Sequence, residues 1–108
     1  MNKIYRERLR YTGIYPILIV TFKIITTMKT SIEISYYPLN KEYRAPIKNF
    51  IAALQESKKI NVKANSMSTQ VFGEYDEVMA AVTKCIKNAF ELPESIFVLK
   101  IINMDRNK

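Results

Sequence analysis

The order of apolar and polar residues changes period several times after residue 28. Over residues 30–37 apolar side chains alternate with polar ones, a period of two that is typical of a strand with one face on a core. The apolar positions of this strand are Ile32, Ile34 and Tyr36. Behind Pro46 the apolar residues recur at i, i+3, i+4 and i+7, from Ile47 to Leu54. This spacing predicts an amphipathic helix over about residues 45–57, with the proline in its first turn.

The second half of the chain repeats this change of period. Alternation returns over residues 60–64, residues 69–72 are again β-prone, and the turn-forming residues between them predict a hairpin. After Gly73 an apolar stripe at helical spacing predicts a second helix, whose first turn carries acidic residues that suit the helix dipole. Residues 95–102 are nearly all apolar and predict a last strand. The predicted order is β-α-β-β-α-β.

This order predicts a ferredoxin-like α+β sandwich, in which a four-stranded antiparallel sheet carries both helices on one face. The first and third strands are then central, and the other sheet face, here called the open face, has no helix. Its predicted residues are Glu33, Ser35, Gln70, Phe72, Ile96, Val98, Lys100 and Ile102. An exposed apolar face of this size is usually an interface. We therefore expect a homo-oligomer, a dimer or a tetramer, with Glu33 and Lys100 as a buried ion pair.

Residues 1–28 differ from the rest of the chain. They carry five of the 17 basic residues, and their apolar run at residues 14–20 is far shorter than a membrane-spanning helix. No Ala-x-Ala-like cleavage site follows, which argues against a secretory signal. We interpret residues 1–28 as an N-terminal extension. Alternatively, they result from an upstream start codon, and Met28 is the natural start of translation. Residues 29–104 form the predicted domain, and residues 105–108 form a polar tail. We expect no stable insertion of the protein into a membrane.

The composition removes several kinds of chemistry. The chain has no histidine and one cysteine, Cys85, which excludes nucleophile–histidine pairs, histidine metal ligands and an internal disulfide. We therefore expect no enzyme, no metal site and a reducing, cytoplasmic compartment. The net charge is +7, but beyond residue 28 the basic residues are interleaved with acids. A nucleic-acid reader clusters its basic residues on one face, so no nucleic-acid partner is predicted.

Two segments carry a resemblance to a known family. They are residues 31–39, Ser-Ile-Glu-Ile-Ser-Tyr-Tyr-Pro-Leu, and residues 65–79, Asn-Ser-Met-Ser-Thr-Gln-Val-Phe-Gly-Glu-Tyr-Asp-Glu-Val-Met. Over about residues 28–104 the chain closely resembles the YkoF-like thiamine-binding domain family. The resemblance implies a small cytoplasmic protein without a cofactor that binds thiamine or its hydroxymethylpyrimidine moiety and assembles as dimers or tetramers. YkoF itself resembles two such domains in tandem, whereas this chain holds one.

An aminopyrimidine ligand needs hydrogen-bond donors, an acceptor and an aromatic or apolar surface. The candidate ligand-binding residues are Glu33, Ser35, Tyr37, Asn65, Ser68, Thr69 and Gln70. Residues 65–69 are also consistent with a hydrogen-bonded hairpin turn, and Glu33 with an ion pair to Lys100. An oligomeric ferredoxin-like structural or regulatory module without a vitamin ligand is the alternative function, since this fold does not specify one. The sequence does not distinguish carrying, buffering and sensing of the vitamin.

Overall fold

The computed structural model describes residues 27–108, in which a four-stranded antiparallel sheet packs against two helices. The strands are β1 (Lys29–Pro38), β2 (Asn61–Ala64), β3 (Thr69–Glu74) and β4 (Ser95–Ile102), and the helices are α1 (Arg44–Gln55) and α2 (Tyr75–Ala89). The sheet order β2-β3-β1-β4 makes the first and third strands central, which confirms the predicted ferredoxin-like arrangement. Apart from its last two residues, the predicted N-terminal extension lies outside the described residues.

Local hydrogen bonds define the start of α2 and the end of α1. The carboxylate of Glu74 accepts hydrogen bonds from the amides of Asp76 and Glu77 at 3.1 and 3.3 Å and so caps the start of α2. Helix α1 ends at Gln55, two residues before the predicted end. There the amides of Glu56 and Ser57 bond to carbonyls three residues back, which tightens the chain into a turn.

The core lies between the helices and one face of the sheet. It consists of Ile32, Ile34, Phe50, Leu54, Val71, Val78, Val82 and Cys85. Antiparallel pairing places Ile32 beside Val71 and Ile34 beside Leu99, so alternate residues of the central strands meet the helices. Fully burying one aliphatic side chain contributes roughly 1.5–3 kcal/mol. An aromatic cluster extends the core, with the Tyr36 and Phe97 rings stacked at 4.2 Å between centroids.

The C-terminal segment, residues 103–108, covers one end of the open face. The hydroxyl of Ser31 donates to the carbonyl of Met104 at 2.7 Å and accepts from the amide of Arg106 at 2.9 Å. Phe72 lies beside Ser31 in the register and is only 6% exposed, although it faces away from the helices. Exposed apolar side chains remain on the rest of this face, namely Tyr37, Ile96, Val98 and Ile102.

The helices themselves are short. The longer, α2, has 15 residues, and neither helix of the described part is long and apolar enough to cross a bilayer.

Candidate functional site

A cavity of about 410 Å³ lies where β1 ends, α1 begins and the β2–β3 turn folds back. We call it the sheet-end cavity. Its aromatic walls are Tyr36, Tyr37, Tyr43 and Phe50, and its polar lining is Asn65, Ser66, Ser68 and Thr69. No charged side chain of residues 27–108 lines it. Such a lining suits a flat ring whose edge carries hydrogen-bonding groups.

The β2–β3 turn forms one wall of the sheet-end cavity and is held by Asn65. The side-chain oxygen of Asn65 accepts hydrogen bonds from the amides of Met67 and Ser68 at 2.8 and 3.1 Å. The backbone amide of Asn65 also donates to the backbone carbonyl of Ser68 at 3.1 Å. An asparagine oxygen that bonds to following amides is a common turn-stabilising arrangement. Asn65 therefore shapes this wall of the cavity through its turn.

Thr69 follows the turn and points to the helix side of the sheet. It pairs with Ile34 in the register, is 6% exposed and lines the sheet-end cavity. Within residues 27–108 its hydroxyl makes no hydrogen bond, unlike that of Thr30, which donates to the carbonyl of Ile102 at 2.8 Å. A buried hydroxyl without a partner costs about 1–3 kcal/mol. This group is accordingly placed to bond with a molecule in the cavity.

Ser68 connects the cavity to the open face. Its hydroxyl donates to Oε2 of Glu33 at 3.1 Å, and Oε1 of Glu33 lies 3.7 Å from Nζ of Lys100. In the single chain the Lys100 and Glu33 side chains are 81% and 42% exposed, so their ion pair is not buried there. Exposed pairs of this kind contribute less than about 1 kcal/mol. Glu33 thus reaches the site through Ser68 and does not itself line the cavity.

A shallower groove of about 250 Å³ lies on the open face. Its polar lining includes Glu33, Gln70, Lys100 and Arg106, and Phe72 also contributes. Gln70 neighbours Glu33 in the register, which explains why these two candidate residues are found together here. We call this the open-face groove.

The structure therefore divides the seven candidate residues. Those that line the sheet-end cavity are Tyr37, Asn65, Ser68 and Thr69, and those in the open-face groove are Glu33 and Gln70. Ser35 pairs with Val98 on the open face and lines neither. Ser35 and Thr69 are both among the candidate residues, but strand alternation points their side chains to opposite faces of the sheet.

Sequence reasoning did not find the wall supplied by α1. Tyr43 immediately precedes α1, and Phe50 lies on the buried face of α1. Both line the cavity together with Tyr36. The available signal was the short connection between Pro38 and Arg44, which brings the start of α1 next to the end of β1. The hydrophobic period of α1 identifies its buried face but not the route of this connection.

A third cavity, of about 340 Å³, lies between the helices and includes Cys85, Asn49 and Asn88 in its lining. Burial raises the pKa of the Cys85 thiol, which disfavours the reactive thiolate. Within residues 27–108 no three histidine, cysteine or acidic side chains gather as a metal site would require. The candidate ligand-binding residues that line a cavity lie in the sheet-end cavity and the open-face groove.

The chain matches a known protein family. A family model described as thiamine-binding protein matches residues 25–107, a range that contains every described strand and helix. No curated protein sequence matches the chain.

Solved structures share the fold. A structural-genomics target protein from Streptococcus pneumoniae is 27% identical with a TM-score of 0.67, and the match covers 73% of this chain and 90% of that one. A candidate thiamine biosynthesis and salvage protein from Thermotoga maritima is 18% identical with a TM-score of 0.62, over 73% of this chain and 84% of that one. A domain of unknown function, DUF77, from Bacillus cereus is 19% identical with a TM-score of 0.62, over 74% and 80%.

Proposed function

Because this chain belongs to the thiamine-binding protein family, we propose that it is a non-catalytic protein that binds thiamine or its hydroxymethylpyrimidine moiety in the sheet-end cavity. The observation that carries the proposal is the Thr69 hydroxyl, which is buried in the cavity wall without a partner in the described part of the chain. A ligand nitrogen or hydroxyl group would supply that partner.

The cavity has the size and chemistry that the pyrimidine ring requires. Its volume of about 410 Å³ lies within the usual range for small-molecule sites, roughly 300–1,000 Å³. Tyrosine and phenylalanine rings offer stacking surfaces for a flat heterocycle. Together the Ser68 and Thr69 hydroxyl groups can offer an acceptor for an exocyclic amine and a donor for a ring nitrogen. The name of the Thermotoga maritima neighbour, which refers to thiamine biosynthesis and salvage, agrees with this ligand.

We further infer that a second copy of the chain covers the exposed part of the open face. Four large apolar side chains there are 43–53% exposed, and the chain's own C-terminal segment covers only the end near Phe72. Burying these side chains against the same surface of another copy would remove apolar area from water. A cytoplasmic location fits the single buried, unpaired Cys85.

Calorimetric titration of the purified chain with thiamine, hydroxymethylpyrimidine and thiamine phosphates tests the proposed ligand. The proposal predicts saturable binding of at least one of these, with one site per chain. The alternative, a structural or regulatory module without a vitamin ligand, predicts no heat of binding for any of them. Light scattering of the same sample would measure the number of copies in the assembly.

A further inference from the structure

We propose that Glu33 is a positioning residue that makes Ser68 a hydrogen-bond acceptor toward the sheet-end cavity, so that the site selects an aminopyrimidine over its oxo analogue. The inference rests on the proposed function and specifies which chemical form of the pyrimidine is bound. It assigns to Glu33 a role different from direct ligand contact, because Glu33 lies on the open face and is absent from the cavity lining.

The Ser68 hydroxyl bonds to the Glu33 carboxylate. A serine hydroxyl has one proton to donate and two lone pairs that accept. Ser68 donates this proton to Oε2 of Glu33 at 3.1 Å, and a carboxylate has no proton to return. What Ser68 still offers to the cavity that it lines is a lone pair.

The Glu33 carboxylate contacts both Lys100 and Ser68. Glu33 and Lys100 are cross-strand neighbours, and Nζ of Lys100 lies 3.7 Å from Oε1, the oxygen that does not contact Ser68. The carboxylate is therefore held between a cation on one side and the hydroxyl on the other. A hydrogen bond to a charged acceptor is stronger than one between neutral groups, which favours this orientation of the Ser68 proton.

Ser68 and its neighbour Thr69 both line the sheet-end cavity. Thr69 lines the same cavity, and its hydroxyl has no partner among residues 27–108, so it is free to donate. An acceptor at Ser68 beside a donor at Thr69 complements the amino group and the adjacent ring nitrogen of a 4-aminopyrimidine. A 4-oxo pyrimidine presents the reverse pattern, and its carbonyl oxygen would face the lone pair of Ser68. In a complex with the 4-oxo analogue, the carbonyl oxygen of the ligand and the lone pair of Ser68 are both acceptors, and neither meets a donor. This mismatch lowers the affinity for the 4-oxo analogue.

The test compares two ligands on four proteins. The ligands are hydroxymethylpyrimidine with its 4-amino group and the same molecule with a 4-oxo group. The proteins are the full wild-type chain, Glu33→Ala, Ser68→Ala and a matched control, Ser35→Ala. The control removes a polar group from the same face of β1, at a residue that lines neither the sheet-end cavity nor the open-face groove. Titration gives the ratio of the two dissociation constants for each protein, after thermal melting has shown that each is folded.

We expect the wild type and Ser35→Ala to prefer the amino ligand by about tenfold or more. In Glu33→Ala the Ser68 hydroxyl can rotate and donate, so the preference should fall to within about twofold, while binding of the oxo ligand improves. Ser68→Ala should lose the preference by weakening the amino ligand alone. A purely structural role of Glu33 would weaken both ligands equally and leave the ratio unchanged.

An unchanged ratio in Glu33→Ala, or a ratio that collapses in Ser35→Ala, would overturn the role of Glu33 and leave the proposed function standing. Failure of the wild type to bind either pyrimidine would instead overturn the proposed function, and this inference with it.

Discussion

Replacing Thr69 with valine separates the stability of the protein from its affinity for the ligand. Thr69 is 6% exposed, and its hydroxyl has no partner in the part of the chain that the structure describes. Valine has almost the same shape and exchanges the hydroxyl for a methyl group. Removing an unpaired buried hydroxyl relieves part of its desolvation cost, so Thr69→Val should raise the free energy of unfolding by about 1 kcal/mol. For a domain of this size that corresponds to roughly 4–8 °C in Tm.

The same substitution should weaken ligand binding. In the proposed complex the Thr69 hydroxyl bonds to the pyrimidine, and the valine methyl cannot replace that bond. The ligand group then loses its partner at the cavity wall, which costs about 1–3 kcal/mol, or roughly five- to a hundred-fold in Kd. Stability and affinity thus change in opposite directions, which general damage to the fold would not produce.

Thr30→Val is the matched control. Thr30 lies on the same side of the sheet and is 1% exposed, but its hydroxyl donates to the carbonyl of Ile102 at 2.8 Å. The valine variant leaves that carbonyl with one bond fewer, so the free energy of unfolding should fall by about 1 kcal/mol. Thr30 is absent from the lining of the sheet-end cavity, so its Kd should not change.

Thermal melting of the ligand-free proteins and calorimetric titration with hydroxymethylpyrimidine at one ionic strength provide the two measurements. Equal Kd values for the wild type and Thr69→Val would refute the assignment of Thr69 to the site. A fall in Tm for Thr69→Val as large as that for Thr30→Val would refute the claim that its hydroxyl is unpaired.

Three further predictions concern the assembly, a helix cap and the thiol. Val98→Asp places a charge on the proposed interface and should reduce the mass found by light scattering, so an unchanged mass and Tm would exclude this surface. Glu74→Ala removes the acceptor that caps α2 and should lower the free energy of unfolding by about 1 kcal/mol in urea, and an unchanged midpoint would contradict the cap. Burial raises the pKa of the Cys85 thiol. At pH 8 a thiol reagent should therefore label the folded protein far more slowly than the denatured chain. Equal labelling rates would contradict the burial of Cys85.

The fold could be predicted because its determinants are local and periodic. Alternation in β1 identified both the residues facing the helices and those facing away, and the register confirms this division for Ile32, Glu33 and Ile34. Helical spacing behind Pro46 located α1 to within two residues at its end. The family resemblance drawn from residues 31–39 and 65–79 is confirmed by the family match.

The candidate site could be predicted only in part, because a cavity depends on how loops and distant segments meet. Asn65, Ser68 and Thr69, which line the cavity, were predicted because they lie close together in one mostly polar turn segment. Tyr43 was missed because the path between β1 and α1 has no periodic signal. The bond between Ser31 and Met104, which covers part of the open face, joins residues 73 positions apart and leaves no local pattern in the sequence.

The location of the bound pyrimidine is the most direct test of the central claim. Two-dimensional amide NMR of the wild-type chain, titrated with hydroxymethylpyrimidine, reports which residues respond. The account predicts saturable shifts at residues 65–69 and 39–43, around the sheet-end cavity, with Lys100 and Arg106 of the open-face groove unaffected. Shifts confined to that groove, or no shifts at millimolar ligand, would contradict it.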